Sequence, residues 1–197
     1  MKCDIVLAGV GGQGILSIAT VLGFAAVENN LYLKQAETHG MSQRGGVVQS
    51  YLRLSDQPIW SDLIPLGEAQ LILSVEPLES LRYLDYLSPD GYVITNTTPF
   101  VNISDYPELD EILKTISGLP RVVAIDAESA AKAAGNIKSS NMVMLGAASP
   151  FIDLPLSGLE RGISEIFSKK GAGIVAINLK AFHAGRAFSE QILNKLK

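Results

Sequence analysis

Four glycines and one glutamine lie close together near the amino terminus: Gly9, Gly11, Gly12, Gln13 and Gly14. Three of the glycines fit the spacing G-x-G-x-x-G, in which missing side chains permit a tight turn and a close approach of the backbone to phosphate. The glutamine amide can donate a hydrogen bond to a ligand oxygen or face solvent. Because four glycines exceed what one turn requires, the segment is a candidate anion site, with tight packing and no ligand as the alternative.

The turn gives little support to a nicotinamide cofactor. A dinucleotide site of that kind has an acidic residue about 20 positions further on, where it holds the ribose. The nearest candidate is Glu37, which lies inside a second polar segment and matches the pattern poorly. A self-sufficient nicotinamide dehydrogenase is therefore the weakest of the enzymatic hypotheses.

The second polar segment runs from residue 37 to residue 46 and has no apolar periodicity. Its candidate ligand-binding residues are His39, Gln43, Arg44, Gly45 and Gly46. The arginine is flanked by a glutamine and two glycines, which suits planar, bidentate recognition of a phosphate or carboxylate. The histidine could act as an acid–base group or only form a hydrogen bond. A plain connection that needs its glycines to turn is the alternative.

Two further carboxylates follow predicted strands. Glu76 has the right position either for a ligand group or for the cap of a helix that begins at Pro77, and Asp126 is predicted to cap another helix. The order of the polar residues reveals no Ser/His/Asp set, no pair of catalytic acids and no cysteine nucleophile. The sequence therefore predicts no catalytic residue in this chain by itself.

The composition argues against several classes of protein. A net charge of −4 leaves no basic stripe for a nucleic acid. Cys3 is the single cysteine, so the chain alone cannot form a four-cysteine iron–sulfur or zinc site, and two histidines argue against a histidine-based metal site. The longest apolar stretch, residues 15–27, is shorter than the ~20 residues that span a bilayer. We expect a cytoplasmic protein without a membrane or nucleic-acid partner.

Strands and helices are predicted to alternate along the chain. The expected strands are residues 5–8, 31–36, 47–54, 70–75, 92–96 and 121–125. The expected helices are residues 15–28, a helix that begins at Pro77, 109–116, 127–134, a helix capped by Asn141, 156–167 and 176–195. A turn is expected at residues 88–91 and a loop at 97–107.

This alternation predicts an α/β, Rossmann-like three-layer fold with a mostly parallel sheet, in a single domain (residues 1–197) with C-terminal helices. Ligands of such sheets bind beyond the carboxyl ends of the strands, where the strand order reverses. The glycine turn, the second polar segment and Glu76 all follow predicted strands. We therefore predict that these three features converge in space.

The two glycine segments together resemble the small subunit of the 2-oxoacid:ferredoxin oxidoreductases. The resemblance is carried by residues 9–15 and 37–46, and continues in later blocks at residues 74–79, 126–128, 141–146 and 178–182. The form Thr-His-Gly-Met-Ser-Gln-Arg-Gly-Gly of the second segment is most similar to the beta subunits of the indolepyruvate enzymes of this family.

The resemblance implies an oxidative decarboxylation, in which an aryl 2-oxoacid and coenzyme A give an acyl-coenzyme A, carbon dioxide and reduced ferredoxin. It also implies that thiamine diphosphate and the iron–sulfur clusters belong to a large (alpha) partner subunit. The chain would then bind no cofactor alone, would be inactive by itself and would reach ferredoxin only through the complex. Coenzyme A is the co-substrate that the glycine segments and Arg44 are expected to contact.

Other interpretations stay open at this point. The chain could be the gamma subunit of a pyruvate, 2-oxoisovalerate or 2-oxoglutarate enzyme of the same family. It could also be a non-catalytic module that binds a nucleotide or coenzyme A by itself. The glycine segments could contact coenzyme A, thiamine diphosphate or only the partner subunit.

Overall fold

The computed structural model describes residues 1–39 and 45–195 of the chain. Within these ranges one six-stranded sheet has the order β2-β3-β1-β4-β5-β6. The strands are β1 (Lys2–Val10), β2 (Tyr32–His39), β3 (Val47–Ser55), β4 (Ala69–Ser74), β5 (Leu87–Asn96) and β6 (Val122–Ile125). Of these strands only β3 runs antiparallel to its neighbours, so the predicted mostly parallel sheet is confirmed.

Helices cover both faces of this sheet. They are α1 (Ile15–Glu28), α2 (Pro77–Arg82), α3 (Leu109–Ser117), α4 (Ala127–Ala134), α5 (Ser140–Ala148), α6 (Leu156–Phe167) and α7 (Ala172–Lys195). The helices α1 and α4–α7 contribute to the larger core, whereas α2 and α3 lie on the opposite side of the sheet. The three-layer α/β prediction is therefore confirmed. Within the described ranges, no helix is both long and apolar enough to cross a membrane.

The central strand β1 is buried on both faces. Ile5 and Leu7 point into the larger core, while Val6 and Ala8 point into the smaller one, as the two-residue period of a strand requires. All four side chains are 0% exposed. A strand buried on both faces is a continuous apolar run, which is why the sequence pattern identifies it.

The helices α5 and α7 touch through glycines. A Cβ atom on Gly146 would lie 1.9 Å from the carbonyl oxygen of Phe182, and one on Gly185 would lie 1.9 Å from the carbonyl oxygen of Val143. Both distances are far below van der Waals contact, so the two backbones can approach this closely only because neither glycine has a side chain. This contact places α5 against the sheet beside the first glycine turn.

Two predicted helix ends are confirmed and one is wrong. The Asp126 carboxylate accepts a hydrogen bond from the Ser129 amide at 2.9 Å, and Gly135 ends α4 with a φ of 123°. The sequence predicts Asn141 as the cap of α5, but Ser139 has the N-cap position and Asn141 lies inside the first turn. The Asn141 side chain reaches toward the first glycine turn, where it donates to the Gly14 carbonyl oxygen.

The predicted turn at residues 88–91 is wrong, because this segment belongs to the continuous strand β5. Its pairing with β4 is irregular, with a register shift between Ala69 and Leu71. Pro89 lacks an amide hydrogen, and a Cβ on Gly91 would lie 2.8 Å from the Ala69 carbonyl oxygen. Pro89 and Gly91 therefore belong to a strand with an irregular pairing. The same residue types also occur in tight turns, so the sequence alone does not distinguish the two.

The end of β2 and the beginning of α7 also differ from the sequence prediction. Strand β2 continues to His39, so the second polar segment begins as an edge strand paired with β3. Helix α2 ends at Arg82, and a short 3-10 turn follows it over Leu84–Tyr86. Helix α7 begins at Ala172, four residues earlier than predicted.

The helix contact predicts a large difference between two glycines of α7. Gly185→Ala should lower the free energy of unfolding by about 3 kcal/mol, because the new methyl group would overlap the Val143 carbonyl. Gly173→Ala is the matched control, since nothing lies within 4 Å of the position that its methyl group would take, and it should cost less than about 0.5 kcal/mol. Urea unfolding of both variants measures the difference. Equal losses would contradict a close contact between α5 and α7.

Candidate functional site

The strand order reverses between β1 and β4. From β1 the chain first builds β2 and β3 on one side of the sheet, and then returns to add β4 on the other side. The two parallel strands pair up to Ala8 and Ser74, so their carboxyl ends lie next to each other. Such a reversal opens a crevice at the carboxyl end of an α/β sheet. The first glycine turn follows one of these strands and Glu76 follows the other.

The two glycine segments are hydrogen-bonded to each other. The Gly11 amide donates to the Gly46 carbonyl oxygen at 2.8 Å, and the Gly45 amide donates to the Gly11 carbonyl oxygen at 3.4 Å. These bonds continue the ladder between β1 and β3 beyond the last paired residues, Val10 and Val47. The predicted convergence of the two segments is confirmed for these residues.

Three predicted site residues of the second segment are not fully described. Gln43 and Arg44 lie outside the described residues. His39 ends β2, and its backbone pairs with Val48. The roles of these three side chains in ligand binding therefore stay predictions.

The side chain of Gln13 links the ends of two strands. Its Oε1 accepts a hydrogen bond from the Val10 amide at 2.8 Å, and its Nε2 donates to the Val75 carbonyl oxygen at 3.3 Å. The amide does donate to an oxygen, in line with one of the two sequence interpretations, but this oxygen belongs to the protein backbone. Gln13 thereby fixes the turn against the carboxyl end of β4.

The glycines of the first turn are needed for different reasons. A Cβ on Gly9 would lie 2.4 Å from Val75 Cγ2, so this glycine permits close packing. Gly14 has a φ of 82° at the N-cap of α1, and a Cβ there would lie 2.4 Å from Asn141 Nδ2. Gly12 has a φ of 102°, but nothing lies within 4 Å of its Cβ position. Packing explains two of these glycines, whereas open space over Gly12 leaves room for a ligand.

Asn141 is an unexpected polar group beside this turn. It is 8% exposed, and its Nδ2 donates to the Gly14 carbonyl oxygen at 3.2 Å. Its Oδ1 is buried and has no hydrogen-bond partner among the described residues. A buried acceptor of this kind is uncommon and costs about 1–3 kcal/mol when it stays unpaired. Asn141 therefore presents a free acceptor next to the start of α1.

A cleft of about 440 Å³ lies beside the turn. It is lined by Gly12, Gln13, Val75, Asn96, Phe100, Glu128, Ile137, Lys138, Ser140 and Met144. Lys138 gives the cleft a positive charge, and Glu128 gives it a negative one. Phe100 and Ile137 are exposed apolar side chains at its wall, 41% and 49% exposed respectively. The lining therefore offers one cationic, one anionic and two exposed apolar side chains to a ligand.

Glu76 is buried and caps α2, which is one of its two predicted roles. It is 1% exposed, and its Oε2 accepts a hydrogen bond from the Glu79 amide at 2.8 Å. Its Oε1 accepts from the Phe100 amide at 3.3 Å and from the Tyr106 hydroxyl. Burial and the contact with this carboxylate raise the pKa of Tyr106 well above its ordinary value. Glu76 thus holds the 97–107 segment whose Phe100 lines the cleft.

The same segment is also tied to the second glycine segment. Asn102 Nδ2 donates to the Gly45 carbonyl oxygen at 2.7 Å. Hydrogen bonds therefore connect Glu76, the 97–107 segment, Gly45 and Gly11 in sequence. Gly12 and Gln13 of the first turn line the cleft directly, whereas Gly45 and Glu76 are linked to it through these hydrogen bonds. In the described ranges, no three His, Cys, Asp or Glu side chains group into a metal-ion site.

The cleft also contains residues that sequence reasoning does not select. Phe100 and Lys138 belong to none of the motifs named in the sequence, and Glu128, although part of the resembling block at residues 126–128, is not predicted as a site residue. Asn141 belongs to a resembling block at residues 141–146, but its position beside Gly14 depends on the packing of α5. Asn96 is the last residue of β5. Only the rule that ligands bind beyond the carboxyl ends of parallel strands could have pointed to it, as it did to Glu76.

Comparison with known proteins identifies the family. Residues 4–188 match the family described as Pyruvate ferredoxin/flavodoxin oxidoreductase. The chain belongs to this family. Within the pyruvate ferredoxin/flavodoxin oxidoreductase family, it is 38% identical over 199 residues to the indolepyruvate oxidoreductase subunit IorB of Thermococcus kodakarensis, a match that covers 96% of this chain and 97% of that protein. The subunit of the same name from Methanothermobacter thermautotrophicus is 39% identical, with 94% of this chain and 96% of that protein covered.

Solved structures share the fold. The keto/oxoacid ferredoxin oxidoreductase gamma subunit of Geobacter sulfurreducens is 20% identical with a TM-score of 0.70, and the match covers 96% of this chain and 99% of that one. The 2-oxoglutarate:ferredoxin oxidoreductase of Magnetococcus marinus is 24% identical with a TM-score of 0.76, over 96% of this chain and 31% of that one. The latter structure has 2-oxoglutarate, coenzyme A and succinyl-CoA bound. These matches confirm the α/β fold that the alternation of strands and helices predicts.

The turn predicts unequal effects at two of its glycines. Gly14→Ala should lower the free energy of unfolding by about 2–4 kcal/mol, because a left-handed φ and overlap with Asn141 both penalise the methyl group. Gly12→Ala meets only the conformational penalty and should cost about 1–2 kcal/mol. Chemical denaturation of the two variants provides the comparison. A larger loss for Gly12→Ala would show that the two positions have been assigned the wrong constraints.

The contact between Tyr106 and Glu76 predicts a dependence on high pH. The folded-state pKa of Tyr106 is raised above its ordinary 10.0, so this hydroxyl contributes stability below pH 10 that is lost as the pH rises further. Tyr106→Phe should lower the free energy of unfolding by about 1 kcal/mol at pH 7. The difference between the two proteins should shrink above pH 10. Unfolding measured from pH 7 to pH 11 tests this, and a constant difference would contradict the assigned contact.

Proposed function

We propose that this chain is the small subunit of an indolepyruvate oxidoreductase. The observation that carries the proposal is the near full-length similarity to the Thermococcus kodakarensis IorB subunit, 38% identical over 96% of this chain. In the proposed reaction an aryl 2-oxoacid loses carbon dioxide, its acyl group forms a thioester with coenzyme A, and the released electron pair reduces ferredoxin. The chain contributes as one gamma-type catalytic domain spanning residues 1–197.

The proposed role of this subunit is to hold coenzyme A, whose phosphates are anionic and whose pantetheine arm combines amide groups with apolar methyl and methylene groups. The unpaired amides at the start of α1 and the charge of Lys138 favour the phosphates. Phe100 and Ile137 offer an apolar wall for the arm. The lining of the cleft therefore fits the chemistry of this co-substrate.

The predicted residues of the second segment extend this site. Arg44 would add a fixed positive charge with a planar fork, and Gln43 and His39 would add hydrogen-bonding groups. Gly45 and Gly46 hold the segment against the first turn through Gly11. In this proposal no residue of the chain acts as a chemical catalyst.

The proposed partner is the large subunit of the same enzyme. It would supply thiamine diphosphate, which stabilises the carbanion formed when carbon dioxide leaves, and iron–sulfur clusters, which carry electrons to ferredoxin. Cys3, the single cysteine, is buried, and burial raises the pKa of its thiol to about 12. Such a thiol is a poor cluster ligand, which supports placing the clusters in the partner.

Reconstitution tests the proposed function. The isolated chain should be colourless and inactive, and addition of the large subunit should give 2-oxoacid- and coenzyme A-dependent ferredoxin reduction. Indolepyruvate should have a higher kcat/KM than pyruvate, 2-oxoisovalerate or 2-oxoglutarate. Preference for one of those three acids would instead identify a gamma subunit of another family enzyme. Tight coenzyme A binding by the isolated chain without any activity in the complex would favour a separate binding module.

A charge change in the cleft tests the proposed co-substrate site. Lys138→Met should raise the KM for coenzyme A in the reconstituted enzyme by roughly three- to tenfold, since an exposed charge-assisted contact contributes about 0.7–1.4 kcal/mol. Lys132→Met, an exposed lysine of α4 that does not line the cleft, is the matched control and should have no effect. Steady-state kinetics with saturating 2-oxoacid measure both. Equal KM values for the two variants would remove Lys138 from the site.

A further inference from the structure

A second surface lies at the end of the sheet opposite to the cleft. The segment 56–68 connects the end of β3 to the beginning of β4, beside the amino end of β1. Because β1 has nine residues, a rise of ~3.3 Å per residue separates this segment from the first glycine turn by roughly 26 Å. The segment and the cleft are therefore separate surfaces at opposite ends of β1.

Three large apolar side chains of this segment face solvent. Trp60 is 92% exposed, Leu63 is 57% exposed and Leu66 is 66% exposed. Ile64, which lies between them, is only 3% exposed and packs in the smaller core. Ile64 thus anchors the segment in the smaller core, while the side chains of Trp60, Leu63 and Leu66 face outward. We call the exposed side chains of Trp60, Leu63 and Leu66 the Trp60 surface.

A buried ion pair holds the backbone beneath this surface. The guanidinium of Arg53 donates to both oxygens of the Asp4 carboxylate, at 2.8 and 2.9 Å, and Asp4 is 1% exposed. The remaining nitrogen of Arg53 donates to the carbonyl oxygens of Ser61 and Leu63, at 3.1 and 2.9 Å. The segment is therefore ordered before any partner binds, which reduces the entropy lost on binding.

Among the described residues around the Trp60 surface, the cations Lys2 and Arg53 are taken up by ion pairs, and the charge left without a partner is acidic. Asp62 and Glu68 are exposed beside it, and the sequence contains no lysine or arginine between residues 54 and 81. Lys2, from the neighbouring strand, pairs with Glu68 at 3.1 Å, whereas Asp62 has no ion-pair partner among the described residues. The complementary surface is therefore apolar at its centre and has arginine or lysine side chains at its edge.

A groove of about 330 Å³ lies beside Trp60. It is lined in part by Pro58, Ile59 and Trp60, together with the ion-paired side chains of Lys2, Asp4 and Arg53. An exposed indole face attracts a guanidinium or ammonium group through its π electrons. Tryptophan is also among the residues that contribute most to binding energy when an interface covers them.

We propose that the Trp60 surface docks the large subunit of the oxidoreductase. The contacting surface of that subunit would be an apolar patch with basic side chains at its edge. This rests on the proposed function, which requires such a subunit. A second copy of this chain fits poorly, because its equivalent surface presents the same unpaired Asp62 and has its Lys2 and Arg53 already engaged in ion pairs. An anionic membrane would be repelled by the same carboxylate.

Trp60 is the single tryptophan of the chain, so it can report on docking directly. We expect the fluorine NMR signal of a fluorotryptophan-labelled chain to shift when the unlabelled large subunit is added. Acrylamide, which reaches this exposed ring in the free chain, should lose access to it in the complex. An unchanged signal in a complex that has demonstrably assembled would overturn the proposal.

Variants give an independent measurement. Trp60→Ala combined with Leu63→Ala should weaken the affinity for the large subunit at least about tenfold, measured by sedimentation. Val27→Ala, which removes a 65% exposed side chain from α1, is the matched control and should assemble normally. Circular dichroism confirms that each variant is folded.

The outcomes separate this proposal from the proposed function. If the unmodified chain does not assemble with the large subunit, the proposed function itself fails. If it assembles and is active but the double variant binds equally well, only the docking proposal fails. Self-association of the isolated chain that the double substitution abolishes would assign the surface to a second copy and overturn the proposal.

Discussion

The carboxyl end of β1 has hydrogen-bond partners on both sides, and the candidate site depends on them. On one side the Gly11 amide donates to Gly46, and on the other the Gln13 side chain joins Val10 to Val75. Because β1 is buried on both faces, these contacts fix the turn to a strand that is packed on every side. The amides at the start of α1 are thus oriented before a ligand arrives, which lowers the cost of binding an anion.

The chain separates its two proposed contacts along this strand. The cleft lies at the carboxyl end of β1, and the Trp60 surface lies at the amino end. Each end has its own buried carboxylate: Glu76 holds the 97–107 segment at the cleft, and Asp4 holds Arg53 beneath the Trp60 surface. Removing either carboxylate would leave buried donors without partners, so both surfaces depend on groups that no ligand touches.

Much of the fold is predictable because buried strands are continuous apolar runs. The rule that ligands bind beyond the carboxyl ends of strands also predicts correctly that the first turn lies next to Gly45 and Gly46 and near Glu76. Prediction fails where one residue type suits two structures. Pro89 and Gly91 suit a turn but belong to an irregular strand, and Asn141 suits a helix cap but lies inside α5 and bonds to Gly14. Lys138 escapes prediction because only tertiary packing brings it to the cleft, and no sequence pattern encodes that distance.

Hydrogen–deuterium exchange in the reconstituted enzyme tests most directly whether the glycine turn holds coenzyme A. Peptides that span residues 9–15 and 137–145 should exchange more slowly when saturating coenzyme A is added, because bound phosphate protects the amides at the start of α1. A peptide that spans residues 58–66 should show no change, since the Trp60 surface lies at the other end of β1. Unchanged exchange at residues 9–15, in an enzyme whose turnover is saturated with coenzyme A, would contradict the proposed site.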